Sequence, residues 1–115
     1  MEWTTPPTDF KSAMLTRINP EKNEARFYYV AYQPTLFHPG AVVRMYGRMG
    51  EWQRVLSPIP FNDLAEAWPL ISRVVRTRLR HGYRLVEIIP PSLNDRDLTV
   101  DDRRAYRLKR YELQE

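Results

Sequence analysis

The chain has 115 residues, of which 43% are hydrophobic and 12% aromatic, enough apolar surface for one folded domain and more than disordered chains carry. It has no cysteine, which excludes disulfides, thiolate nucleophiles and zinc sites built on sulfur. The net charge of +4 is uneven, because residues 26–84 hold nine arginines and three acids whereas each flank has one more acid than base. A basic balance alone is only a weak indication of an anionic partner such as nucleic acid.

Two strands are predicted in the first third of the chain. Residues 11–18, KSAMLTRI, alternate loosely and end at the turn signal Asn19-Pro20. Residues 26–33, RFYYVAYQ, are rich in β-formers and stop at Pro34. The second strand has semi-apolar residues on both faces, so its pattern does not say which face is buried.

A third strand and a hairpin are predicted next. Residues 41–49, AVVRMYGRM, resume the alternation, and residues 52–60 follow Gly50 closely enough to pair back. We expect Val43, Met45 and Met49 to face the core. The opposite face of the strand then carries Val42, Arg44, Tyr46 and Arg48.

A helix and a last strand complete the predicted domain. Residues 63–81 carry one apolar stripe with a period near 3.6, formed by Leu64, Trp68, Ile71, Val75 and Leu79. Asp63 with Glu66 predicts the N-terminal cap, Gly82 the end, and YRLVEIIPP, residues 83–91, a final strand. The predicted fold class is α+β, an antiparallel sheet of about five strands with one main helix packed on one face.

The domain boundaries follow from these elements. We expect an N-terminal extension at 1–13, the folded domain at 14–89 and a charged C-terminal tail at 90–115. Thr99 with Asp102 predicts a short C-terminal helix from Val100 to about Leu113, whose apolar stripe is thin. Such a helix would either dock on the sheet or order only in a dimer.

The succession of motifs resembles a known family. INPEKNEARFYYVAYQPTLF is followed by VVRMYGRMG and then by PFNDLAEAWPLISRVVRTRLRHGY, and this order and spacing resemble the WGR domain over roughly residues 14–84. That module is named for a Trp-Gly-Arg motif. Gly47, Arg48 and Gly50 match the motif, whereas Tyr46 stands where the family has Trp. No stretch of the chain resembles an ADP-ribosyltransferase domain.

The resemblance implies both a fold and a function. It implies a curved antiparallel sheet with one helix on its concave side. In DNA-dependent poly(ADP-ribose) polymerases, WGR domains bind DNA breaks, with the motif's aromatic ring and arginine near the terminal nucleotide and its phosphate. The chain is similar to bacterial proteins with a solitary WGR domain, which are described as DNA-binding or regulatory.

The chemistry of the third strand agrees with this resemblance. On one face, Arg44, Tyr46 and Arg48 would lie about 7 Å apart, which suits a ring stacking on a base between two phosphate contacts. Gly47 would let another backbone or a ligand approach closely. The alternative is that both arginines are solvated and paired with acids on a neighbouring strand, with Tyr46 packed between their stems.

The helix end offers a second basic surface. Its candidate phosphate contacts are Arg73, Arg76, Arg80 and Arg84. The alternative is that these arginines complement the helix dipole and keep the exposed face soluble. Arg78 falls near the apolar stripe, so we expect its stem on the core and its head in solvent.

No catalytic, metal or cofactor site is predicted, and we expect a protein that is not an enzyme. His38 and His81 are far apart and belong to no cluster at ligand spacing. There is no phosphate-cradling glycine loop and no nucleophile elbow. We expect the three tryptophans, Trp3, Trp52 and Trp68, to pack in the core or on the sheet.

Two functions from different classes remain open. The first is a nucleic-acid-binding module with low-specificity DNA binding, at ends or breaks, through Arg44, Tyr46, Gly47 and Arg48. The second is a protein-interaction or adaptor domain, in which Tyr28, Tyr32 and the charged tail form a dimer or partner surface. A signal peptide and an apolar run of about 18 residues are both absent, so we expect a cytoplasmic protein that contacts no membrane. No small-molecule substrate is evident.

Overall fold

A computed structural model describes residues 9–89, which form one sheet and one long helix. The strands are β1 (Ser12–Asn19), β2 (Glu24–Gln33), β3 (Ala41–Arg48), β4 (Trp52–Val55), β5 (Ile59–Pro60) and β6 (Arg84–Ile89), and the helix is α1 (Leu64–Arg80). The predicted fold class, an antiparallel sheet with one main helix, is confirmed. The predicted C-terminal helix and Trp3 lie outside the described residues.

The sheet is antiparallel with the strand order β4-β3-β2-β1-β6, and β5 pairs separately with β3. A short 3₁₀ helix at Pro20–Lys22 joins β1 to β2, and Asn23 closes it with a φ of 55°. A tight turn joins β3 to β4, where the N–H of Glu51 donates to the carbonyl of Arg48 at 3.1 Å. These two turns therefore lie side by side, at the same end of the strands.

The predicted strand at 52–60 is divided into two short strands. β4 ends at Val55 and β5 begins at Ile59, with Pro58 between them. Proline has no N–H to donate and restricts the residue before it, which explains the break in the ladder.

The register fixes which side chains face the helix. Leu15 on β1 is opposite Tyr28, and Tyr28 is opposite Tyr46 on β3. The helix α1 covers this face and contributes Trp68, whose ring meets Phe10 edge-to-face at 5.2 Å. The buried core cluster consists of Phe10, Ala13, Leu15, Tyr28, Val30, Val42, Ala67, Trp68, Ile71, Val75, Tyr83, Leu85 and Ile88.

The predicted sidedness of β3 is wrong. Val42 is fully buried beneath the helix, whereas Val43 and Met45 are half-buried on the opposite face. Met49 is buried as predicted, but it follows the end of the strand. The face that carries Arg44, Tyr46 and Arg48 is thus the face on which the helix packs. Both faces of the strand are apolar enough that alternation does not distinguish them.

The helix agrees with its sequence pattern. Asp63 caps it by accepting a hydrogen bond from the N–H of Glu66 at 2.8 Å, as predicted. Its predicted stripe is buried at Trp68, Ile71 and Val75, whereas Leu64 is half-buried and Leu79, in the last turn, is exposed. After Arg80 the chain turns back, so that the N–H of Tyr83 donates to the carbonyl of Arg78 at 3.0 Å. Residues 78 and 83 are thereby brought together beside the sheet.

The loop between β2 and β3 lies at the opposite end of those strands. The N–H of Thr35 donates to the carbonyl of His38 at 3.0 Å, and the two side chains are also hydrogen-bonded. The loop exposes Leu36 and Phe37 almost completely, at 89% and 82%. Within residues 9–89, no helix is long and apolar enough to cross a membrane.

Candidate nucleic-acid interface

A pocket of about 400 Å³ opens beside the β3–β4 turn, between the sheet and the C-terminal end of α1. It is lined by Arg26, Phe27, Tyr28, Tyr46, Gly47, Arg48, Trp52, Arg78 and Tyr83. Aromatic rings and arginines therefore make up most of its wall. The size is within the range of small-molecule sites and suits a single nucleotide better than a duplex.

Three aromatic rings of the wall are in contact. The rings of Tyr28 and Tyr46 stack with centroids 6.2 Å apart and planes 11° apart. Trp52 meets Tyr46 edge-to-face, at 6.3 Å and 82°. Tyr28 is buried and Tyr46 half-buried, whereas Trp52 is 54% exposed. The sequence predicts that Trp52 packs in the core or on the sheet. It packs on the sheet only through its contact with Tyr46, and it is not part of the core.

Arg78 lines the pocket from the C-terminal end of α1 and is half-buried. Its guanidinium carbon is 4.5 Å from the ring centroid of Tyr28 and 5.8 Å from that of Tyr83. Its Nε is buried and has no hydrogen-bond partner in the described part of the chain. No carboxylate among residues 9–89 forms an ion pair with it. The sequence predicts its head in solvent, but the residue is half-buried, with Nε enclosed and the guanidinium over the two tyrosine rings, so the head is only partly exposed.

Arg48 is held by both turns at this end of the strands. Its Nη1 and Nη2 donate to the main-chain and side-chain oxygens of Asn23, at 2.6 and 2.9 Å. Its Nε is paired with Glu51. A guanidinium has five N–H donors, so two remain for a ligand. Arg48 is thus paired with an acid, but one in the β3–β4 turn and not on a neighbouring strand as the alternative predicts, and it also lines the pocket.

Arg26 is the third cation of the pocket and lies at its rim. It lies directly across from Arg48 in the β2–β3 register. Its side chain is 60% exposed, and its Nε is 3.6 Å from Glu24, which also lies 3.7 Å from Arg17. This pairing is exposed to water and weak. The pocket therefore has two cations at its rim, the exposed Arg26 and the half-buried Arg48, and one more half-buried cation at Arg78.

Gly47 permits a close approach of main chain. A Cβ atom at this position would be 2.8 Å from the Cα of Gln53 and 3.0 Å from the carbonyl carbon of Trp52. The sequence predicts that Gly47 allows either a neighbouring backbone or a ligand to come close. In the structure, the group that comes close is the backbone of β4. Gly47 thus allows β4 to carry Trp52 to the pocket.

Arg44 is on the same face as Tyr46 but does not line the pocket. It lies across from Val30, is half-buried, and its buried Nε has no hydrogen-bond partner within residues 9–89. The predicted row of Arg44, Tyr46 and Arg48 is therefore split, because only its last two members reach the pocket.

The helix arginines form a separate surface. Arg73, Arg76 and Arg80 are exposed. At about 100° per residue they project about 140–160° around the helix axis from Arg78. Arg84 is exposed on β6, in register with Thr16 on the sheet face away from Tyr28. The structure thus brings none of these four to the pocket, and their phosphate-binding role stays a prediction.

Of the predicted partner surface, the charged tail lies outside the described residues, and the two tyrosines are largely enclosed. Tyr28 is 5% exposed and Tyr32 half-buried, so their rings belong to the domain's own packing.

Among residues 9–89, no three His, Asp or Glu side chains are grouped closely enough to hold a metal ion.

Comparison with known proteins identifies the family. The family model of the WGR domain matches residues 11–88, and the chain belongs to that family. No curated protein and no solved structure matches the chain. WGR domains are in general nucleic-acid-binding modules and are binding rather than catalytic domains. Tyr46, which replaces the motif's Trp, lies in the pocket together with Gly47 and Arg48.

Proposed function

We propose that this protein is a low-specificity DNA-binding module that holds the end or break of a strand in the pocket beside the β3–β4 turn. One observation carries the proposal. Arg78 holds its charge between two tyrosine rings, with a buried Nε and no carboxylate partner among residues 9–89.

A half-buried cation with no ion-pair partner among residues 9–89 favours an anionic ligand. Taking a charge out of water costs free energy, which a hydrogen-bonded counter-ion offsets. Cation–π contacts offset part of that cost at Arg78, but they leave its outer N–H groups available. A phosphate oxygen accepts such donors, and Arg48 and Arg26 add positive charge at the rim.

The aromatic wall favours a ligand with a flat ring beside its phosphate. Tyr46 and Trp52 line the same pocket as the arginines. Stacking on such rings tolerates every base, which fits low sequence specificity. A pocket of about 400 Å³ has room for one nucleotide, so an end or a break suits it better than continuous duplex.

The exposed arginines of the helix would supply a weaker, second contact. Arg73, Arg76 and Arg80 would attract phosphates farther along the strand. Because they project away from Arg78, they would add general affinity without contributing to the choice of an end.

The test is a titration of labelled DNA with wild type and Arg48→Glu. Blunt, nicked and covalently closed circular duplexes are compared at low salt and over a salt series. We expect tighter binding to blunt and nicked DNA than to the circle, log-linear weakening with salt, and a large loss in Arg48→Glu. Tyr46→Ala is included as a second variant, and both variants are first checked by thermal denaturation.

Two outcomes would refute the proposal. One is that the wild type binds none of the duplexes at low salt. The other is that folded Arg48→Glu and Tyr46→Ala both bind as tightly as the wild type.

One observation favours protein binding as the second candidate function. Leu36 and Phe37 are almost fully exposed on a hydrogen-bonded loop, at the end of β2 and β3 away from the pocket. Residues 34–40 carry no Lys, Arg, Asp or Glu, so this loop suits an apolar protein surface. Binding through it would respond little to salt, which separates it from phosphate-driven binding.

A further inference from the structure

The pocket has one aromatic ring that is largely free, and it is not the ring of the family motif. Tyr46 stands at the motif position, but it is half-buried, stacks on Tyr28 and receives the edge of Trp52. Tyr28 and Tyr83 are buried. Phe27, the fifth aromatic residue of the wall, is also buried, whereas Trp52 is 54% exposed and has the largest ring of the five.

The domain's own packing accounts for little of Trp52. The residue is on β4, an edge strand whose four residues are all exposed. Its side chain contacts Tyr46, yet more than half of its surface stays in water. Burial of this side chain therefore contributes little to folding, in contrast to Trp68, which is 2% exposed.

The register places Trp52 beside the rim cations. Arg26, Arg48 and Trp52 are directly opposite one another on β2, β3 and β4. Directly paired residues share a face, and neighbouring strands are about 4.8 Å apart. One row of side chains across the end of the strands thus runs from two arginines to an indole ring. A single nucleotide needs this combination, because its phosphate binds cations and its base stacks on a flat ring.

We propose that Trp52 is the residue on which the terminal base stacks, and that Tyr46 supports Trp52 rather than holding the base itself. The inference rests on the proposed DNA-binding function and names the ligand as an unpaired terminal nucleotide. Gly47 is part of this arrangement, because a side chain there would displace the main chain of Trp52. The chain thereby retains a tryptophan at the pocket although its motif position holds tyrosine.

The experiment compares Trp52→Ala and Trp52→Phe with wild type. The probe is a labelled duplex whose 5′-phosphorylated end carries one unpaired nucleotide. Loss of a stacked base should weaken binding by about 5- to 150-fold in Trp52→Ala. Trp52→Phe should lose less, because it keeps a smaller ring. Val55→Ala, an exposed change on the same edge strand, is the control and should bind within about twofold of wild type.

Fluorescence gives a second readout that does not depend on the alanine variant's folding. In Trp3→Phe protein the remaining indoles are Trp52 and the buried Trp68. The probe should quench this emission, and the quenching should disappear in Trp3→Phe/Trp52→Phe.

The failures of the two proposals are distinguishable. If wild type binds the probe while Trp52→Ala binds equally well, or if the probe leaves Trp52 emission unchanged, the inference is overturned and the DNA-binding function stands. If wild type does not bind any DNA probe, both are overturned.

Discussion

Gly47 and Gln53 are so close across the β3–β4 ladder that a Cβ atom on Gly47 would be 2.8 Å from the Cα of Gln53. Real Cβ atoms essentially never approach another atom so closely. The glycine of the motif therefore has a structural task, which is to let β4 lie against β3 with Trp52 at the pocket.

The first prediction follows from this contact. Gly47→Ala should lower the free energy of unfolding by about 1–3 kcal/mol, because main chain must move to admit the methyl group. It should also weaken DNA binding through displacement of Trp52. Thermal denaturation and DNA titration measure the two effects. Gln53→Ala is the control, since Gln53 is exposed and the change adds no atom to the β3–β4 contact. Equal stability of Gly47→Ala and wild type would contradict the prediction.

A second prediction separates the pocket arginine from the helix arginines. Arg78→Met keeps an apolar stem but removes the charge, so DNA affinity should fall by about tenfold or more. The slope of log affinity against log salt should decrease by about one. Arg73→Met removes one of the weaker contacts on the exposed side of the same helix, so it should cost clearly less affinity than Arg78→Met. Equal losses in the two variants would instead indicate a general electrostatic surface.

A third prediction concerns the acid that competes for Arg48. Glu51→Gln removes the ion pair with Arg48 and a negative charge from the pocket rim. Because the carboxylate is exposed, the stability cost should be at most about 1 kcal/mol. DNA affinity should rise severalfold, most clearly at low salt. A loss of affinity in Glu51→Gln would contradict the prediction and show that Glu51 is needed to orient Arg48 for binding.

The fourth prediction tests the core independently of function. Trp68 is 2% exposed and packs edge-to-face on Phe10, so Trp68→Ala should cost about 3–5 kcal/mol. A loss of that size is a large part of a small domain's stability. Trp68→Phe should cost less because it keeps an aromatic ring. Urea denaturation followed by circular dichroism measures both, and a Trp68→Ala cost below about 1 kcal/mol would contradict the packing described.

Sequence patterns predict the elements of this fold well because the patterns are local. The helix cap at Asp63 and the stripe through Trp68 and Ile71 need only neighbouring residues, and both are confirmed. The sidedness of β3 depends on where the helix lies, which is a long-range relationship. Val42 and Val43 are equally apolar, so alternation does not indicate which of them is covered.

The pocket is only partly predictable for the same reason. Tyr46, Gly47 and Arg48 are adjacent and match a family motif, so the sequence brings them to attention. Trp52 reaches the pocket through the β3–β4 register, and Arg78 through the turn that follows the helix. WQRV on β4 has no apolar–polar alternation, and an arginine near an apolar stripe also occurs on ordinary surfaces, so no local signal marks Trp52 or Arg78 as a pocket residue.

The pocket wall is drawn from β2, β3, β4, α1 and Tyr83, which directly precedes β6, and its residues are separated by as many as 57 positions, from Arg26 to Tyr83. Such a site exists only when the whole domain is assembled, so ligand binding and folding are thermodynamically linked. A ligand present at 100 times its dissociation constant would add about 2.7 kcal/mol to the free energy of unfolding. The melting temperature of the unlabelled protein is therefore itself a binding assay, with which mononucleotides and short oligonucleotides can be ranked.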